Sequence, residues 1–143
     1  MKERAFWDTS ALIFLCTYQP SQTSVEELAD RHEIVTWWAT SVEARSTLAR
    51  LVRMQELDQL RLADAVDRLR ELKALWKEID PSESLRDFAE ELPERFALRA
   101  GDALQLAAAY TWVMQKPAGR PFIAGDKRLL EAAEQLGFRT IAV

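Results

Sequence analysis

"PFIAGDKRLLEAAEQLGFRTIAV", residues 121–143, holds a strand, an acid, a helix and a second strand in one short segment. Pro121 opens the buried strand candidate "PFIAG", and Asp126 stands where the next helix begins. That helix runs from 127 to Leu136 and stops at Gly137, and "FRTIAV" follows as a last strand. Two strands joined through one helix lie parallel, because the right-handed crossover brings the second back alongside the first.

The same alternation extends through the rest of the chain. Residues 4 to 7 read as a strand leading into the helix "SALIFLCTY". Thr23 with Glu26, or Ser24 with Glu27, gives capping-box spacing for a short helix ending near Arg31. "EIVTW", 33 to 37, is β-branched and aromatic and predicts a second strand. A helix is expected from Thr40 to about Gln55. Another spans roughly 58 to 74, where Leu62, Val66, Leu69 and Leu72 recur at three- and four-residue spacing. "LWKEI" before Pro81 predicts a short strand, Ser82 can cap a helix over 83 to 95, and residues 101 to 115 form a helix apolar around most of its circumference. The fold class is α/β, a parallel sheet covered by helices on both faces.

With 143 residues, 48% of them apolar, and no linker or repeat, one domain over 1–143 is expected. No apolar stretch approaches the roughly 18 to 20 residues that cross a bilayer, and no leader pattern opens the chain. The expected location is therefore cytoplasmic, with no membrane partner. The single Cys16 excludes an internal disulfide and a thiolate zinc site. A net charge of -4 means that any approach to nucleic acid is local rather than driven by bulk charge. The acidic run from Glu78 to Glu94 reads as a solvated helix face.

Four acids stand at the starts of helices. Asp8 ends the first strand, Glu43 lies three residues after Thr40, Asp102 sits in the first turn of the most apolar helix, and Asp126 follows "FIAG". Each has an ordinary role: Asp8 and Asp126 as N-caps, Glu43 in a capping box with Thr40, Asp102 as an anion on a helix dipole. Capping alone does not predict that all four fall on the elements that a parallel sheet brings to its carboxyl edge, where ligands of such folds bind. Gathered there, four carboxylates repel unless positive charge lies between them. Oxygen-only ligands suit Mg²⁺ or Mn²⁺ and disfavour zinc. Two such ions roughly 4 Å apart serve in-line attack on a phosphodiester.

The segments "FWDTSAL", "TSVEARSTLAR", "LRAGDALQLAAA" and "FIAGDKRLLEAAEQLGF" resemble, in order and spacing, the motifs of PIN-domain ribonucleases, above all the VapC-like toxins of type II toxin–antitoxin pairs. The resemblance covers nearly the whole chain. It implies a three-layer α/β/α fold with a five-stranded parallel sheet, and an acidic quartet of Asp8, Glu43, Asp102 and Asp126 that binds one or two Mg²⁺ or Mn²⁺ ions and cleaves RNA of the tRNA or rRNA class. It also implies a cognate VapB-like antitoxin and a homodimer. Family members commonly carry a hydroxyl two residues before the last acid, where this chain has Ala124.

Thr9 and Ser10 can hydrogen-bond to Asp8 or to water on a metal. Arg50, seven positions after Glu43 on the same helix face, and Lys127 with Arg128, beside Asp126, are candidate phosphate contacts. Of Trp37 and Trp38, one is expected in the core and the other at an interface. His32 reads as a surface residue in a turn. Two other readings use the same residues: a stand-alone RNA-processing nuclease, and a PIN-fold interaction module without catalysis that Ala124 favours. An aspartyl-phosphate receiver needs an acidic cluster at the first strand, and only Asp8 stands there.

Overall fold

The computed structural model describes residues 2–19, 21 and 23–143. In chain order the elements are β1 (Glu3–Trp7), α1 (Thr9–Thr17), α2 (Val25–Arg31), β2 (His32–Trp37), α3 (Thr40–Arg53), α4 (Gln59–Leu75), β3 (Lys77–Ile79), α5 (Glu83–Phe96), α6 (Ala100–Trp112), β4 (Pro121–Ala124), α7 (Lys127–Leu136) and β5 (Arg139–Ala142). The five strands form one sheet in the order β3-β2-β1-β4-β5, and every adjacent pair is parallel. From β1 the chain steps outward to β2 and β3, then returns to the other side of β1 as β4 and β5. The order therefore reverses between β1 and β4, and a crevice opens at their carboxyl ends.

Side-chain alternation along the strands builds a separate core on each face. Phe6, Val35, Trp37, Phe122 and Ala124 face α5, α6 and α7, with the Phe6 and Phe122 rings stacked 5.5 Å apart. Ala5, Trp7 and Ile123 face α1, α2, α3 and α4, where Leu69 and Leu72 are buried and Leu62 and Val66 pack partly buried against them. The result is a three-layer α/β/α arrangement. In α6 the run Ala107, Ala108, Ala109 is fully buried, because small side chains let this helix lie close to the sheet and to α5. No helix among the described residues is long and apolar enough to cross a membrane.

Four local expectations are corrected. The helix expected to reach Gln115 ends at Trp112, since Met114 and Gln115 adopt positive φ of 51° and 63°, a conformation that no right-handed helix contains. Gln55, at φ 60°, likewise lies beyond the end of α3 at Arg53. His32 is buried rather than exposed in a turn. It caps α2 and starts β2 without an intervening loop, with Nδ1 2.9 Å from the Leu28 carbonyl oxygen and Nε2 3.4 Å from a Glu3 carboxylate oxygen. Thr40 does not cap α3. Ala39 is the N-cap in a helical conformation, so Thr40 already lies in the first turn, buried, with its hydroxyl turned inward.

Candidate active site

β1 delivers Asp8 directly to the crevice. Its backbone N–H donates to the Ile123 carbonyl at 2.9 Å, which ties the end of β1 to β4 at the point where strand order reverses. The side chain, only 4% exposed, caps α1: Oδ2 accepts from the Ser10 N–H at 3.1 Å and from the Ser10 hydroxyl. Ser10 Oγ in turn accepts from the Gly125 N–H at 2.8 Å, so one serine joins the first acid to the loop that carries Asp126. Asp126 caps α7 through Oδ1, which accepts from the Leu129 N–H at 2.9 Å. Capping engages one oxygen of each carboxylate, so the structural role and placement at the sheet edge coexist in both residues.

Glu43 lies in the first turn of α3, and Asp102 occupies the third position of α6, whose N-cap is Arg99 rather than the acid. The two elements meet at Gly101, where a β-carbon would stand in ordinary contact, 3.8 Å, with Glu43 Oε2. Between them sits Gln105, fully buried in an otherwise apolar stretch of α6. Its Nε2 donates to Thr9 Oγ1 at 2.9 Å, to Thr40 Oγ1 at 3.1 Å and to Glu43 Oε2 at 3.4 Å, while Thr9 Oγ1 also approaches Glu43 Oε2 at 3.4 Å. Gln105 Oε1 has no hydrogen-bond partner. A buried amide with an unpaired oxygen is a stability liability. What it provides is a donor held against Glu43.

Burial raises three of the acids, and mutual repulsion adds to it. Asp8 is pushed up to about 6 by desolvation against the pull of the Ser10 hydrogen bonds, with the charge of Asp102 adding to the rise. Desolvation lifts Glu43 to about 7 despite the Gln105 and Thr9 hydrogen bonds, and Asp8 and Asp102 contribute. Asp102 is also raised, first by burial and then by Asp126, while Arg99 and Arg128 hold it back. The four acids are thus linked in a chain of through-space coupling at one sheet edge. A cavity of about 510 Å³ is unrelated to them, since Arg4, His32, Glu33 and Lys77 place it at the opposite, amino end of the strands.

The donor set fits a hard divalent cation in its chemistry: all-oxygen, crowded and short of compensating positive charge. Among the described residues no three His, Cys, Asp or Glu side chains enclose a common ion. Mg²⁺ does not require such a cage, because it keeps several waters and is commonly held by one or two carboxylates. Of the cations expected at phosphate, Arg50 is exposed on α3, and Lys127 and Arg128 are exposed at the start of α7. Arg99 and Arg128 act on Asp102, and Arg128 Nη1 donates to the exposed Ala97 carbonyl at 3.5 Å.

The raised acids make stability depend on pH in an unusual direction. A carboxyl whose folded value exceeds its unfolded one binds its proton more tightly in the folded state. Its contribution is complete below the unfolded values, 3.8 for Asp8 and 4.5 for Glu43, and is lost as pH rises through about 6 and 7. In chelator, the melting temperature is expected to fall between about pH 4 and about pH 7. Asp8→Asn should remove the part due to Asp8, roughly 2 to 3 kcal/mol. Thermal melts of both chains across this range test it, and identical pH slopes contradict it.

The sequence matches the PIN domain family over residues 5–135. No curated protein matches significantly. Among solved structures, PAE2754 from Pyrobaculum aerophilum superposes with a TM-score of 0.65 at 19% identity, covering 98% of this chain and 90% of that one. A toxin–antitoxin complex from Klebsiella pneumoniae gives a TM-score of 0.55 at 17% identity, covering 85% of this chain and 86% of that one. With the parallel sheet, the three layers and a family match over most of its length, the chain belongs to the PIN domain family, a nuclease fold.

Proposed function

We propose that this chain is a metal-dependent endoribonuclease of the VapC-like toxin type. The observation that carries the reading is the coupled burial of Asp8, Glu43 and Asp102 at the carboxyl edge of the sheet, with Asp126 acting on Asp102. Crowded carboxylates need a cation, and PIN nucleases typically use divalent metal ions. Asp8, Glu43, Asp102 and Asp126 are the residues that would hold one or two Mg²⁺ or Mn²⁺ ions. When bound, such ions polarise the phosphate and lower the pKa of attacking water.

The chain's own groups do the rest. Ser10 fixes the orientation of Asp8, and Thr9 and Gln105 hold Glu43, in the manner of the supporting hydrogen bonds that orient metal ligands. Arg99 and Arg128, beside Asp102, are better placed than Arg50 or Lys127 to receive the phosphate of an RNA strand. RNA of the tRNA or rRNA class in the cytoplasm is the proposed substrate, with the whole chain serving as one domain. The likeness to a toxin–antitoxin complex supports a VapB-like antitoxin as partner. A homodimer follows from the family resemblance. A PIN-fold interaction module is the second reading, favoured by Ala124, which is fully buried at the end of β4 with no hydroxyl to offer.

Purified protein incubated with total RNA and Mg²⁺ or Mn²⁺ should produce new 5′ ends that a chelator suppresses, and Asp8→Asn or Asp102→Asn should reduce cleavage roughly a hundredfold or more. Absence of metal-dependent cuts in any RNA would favour the interaction module. Gln105→Leu should lower the cleavage rate about 10- to 100-fold, with a chain that still melts cooperatively. Wild-type cleavage by this variant would remove Gln105 from the site.

A further inference from the structure

A second cleft, of about 400 Å³, lies at the carboxyl ends of β2 and β3 and is lined by Trp37, Trp38, Ser82, Glu83, Arg86 and Leu104, among others. Two of its walls belong to segments that also carry the acids. Trp38 precedes Ala39, whose carbonyl accepts the Glu43 N–H at 3.0 Å. Leu104 lies between Asp102 and Gln105 in sequence, on the helix that carries both. Trp38 is 55% exposed, unusual for the largest side chain, whereas Trp37 is 5% exposed and its indole Nε1 has no acceptor within the protein. The two rings meet edge to face at 6.4 Å, which steadies Trp38 in its exposed position.

Resting on the ribonuclease reading, we propose that this cleft is a base-binding subsite that holds one unpaired nucleobase of the RNA strand next to the carboxylates, with Trp38 as its stacking platform. Single-stranded RNA is recognised by stacking bases on aromatic rings and guanidinium planes, and Arg86 supplies the latter beside the tryptophans. An aliphatic side chain from a protein partner would fill the apolar part of the cleft but leave Arg86 without a counterpart. A base brings both a π-face and polar edges. Local stacking also explains how a chain with net charge -4 holds a polyanion without a basic surface.

The test compares binding of a labelled single-stranded oligo(A) with binding of its abasic ribose-phosphate counterpart, which has the same charge and no bases. Fluorescence anisotropy is read in Mg²⁺ on the Asp8→Asn chain, so that the strand stays intact. Adding Trp38→Ala should weaken oligo(A) binding about 5- to 150-fold, leave the abasic strand unchanged, and be largely rescued by Trp38→Phe. Equal binding of oligo(A) with and without Trp38, or equal weakening of both strands, overturns the subsite. So does a Trp38→Ala chain that changes from dimer to monomer in sedimentation without any dependence on the bases, since Trp38 would then be a contact between copies. If the parent Asp8→Asn chain binds neither strand the subsite also falls, and cleavage of total RNA by the unaltered chain independently decides whether the ribonuclease reading falls with it.

Discussion

Partial or full burial of neighbouring carboxylates, to which their mutual repulsion adds, is the constraint around which this molecule is arranged. A parallel sheet whose order reverses between β1 and β4 opens a crevice at its carboxyl edge, and the chain places acids on the elements that border it. Water would normally screen such charges. Here burial and mutual proximity raise Asp8, Glu43 and Asp102 together. The surrounding hydrogen bonds from Ser10, Thr9 and Gln105 only partly compensate, and the deficit is one that a divalent cation would neutralise.

The scaffold serves this arrangement with economy of parts. Ser10 bonds both to Asp8 and to the Gly125 N–H, so it joins the end of β1 to the loop that follows β4. Gln105 reaches from α6 to Thr9 on α1 and to Thr40 and Glu43 on α3, linking three helices that lie on opposite faces of the sheet. The unpaired Oε1 of Gln105 is the cost of that placement. Such local departures from an optimally satisfied core are what a functional site embedded in a stable fold is expected to contain.

Much of the fold was readable before any coordinates because its signals are local. The strand, helix and glycine stop in residues 121–143, the Ser82 cap and the Leu62 to Leu72 stripe each depend on neighbours a few positions away, and the corresponding elements form as expected. The errors arose where a residue answers to distant partners. Thr40 has ideal capping-box spacing to Glu43, yet its hydroxyl is taken by Gln105, far along the chain. Arg99 carried no local signal of a role, because its proximity to Asp102 depends on how α6 approaches the sheet edge. Gln105 did leave a signal, a lone amide three positions after Asp102 in an otherwise apolar helix. The partners that give it meaning lie 96, 65 and 62 residues away.

Titration calorimetry of Mn²⁺ into the chelator-treated chain near pH 6, repeated in buffers of different ionisation heat, addresses the gathered acids most directly. If Asp8 and Glu43 retain protons because they are buried together, binding of the ion must displace them, so the observed heat will vary with the buffer and the binding will disappear in Asp8→Asn. Absence of Mn²⁺ binding, or binding that releases no protons and survives loss of Asp8, would contradict a cation site built on these carboxylates.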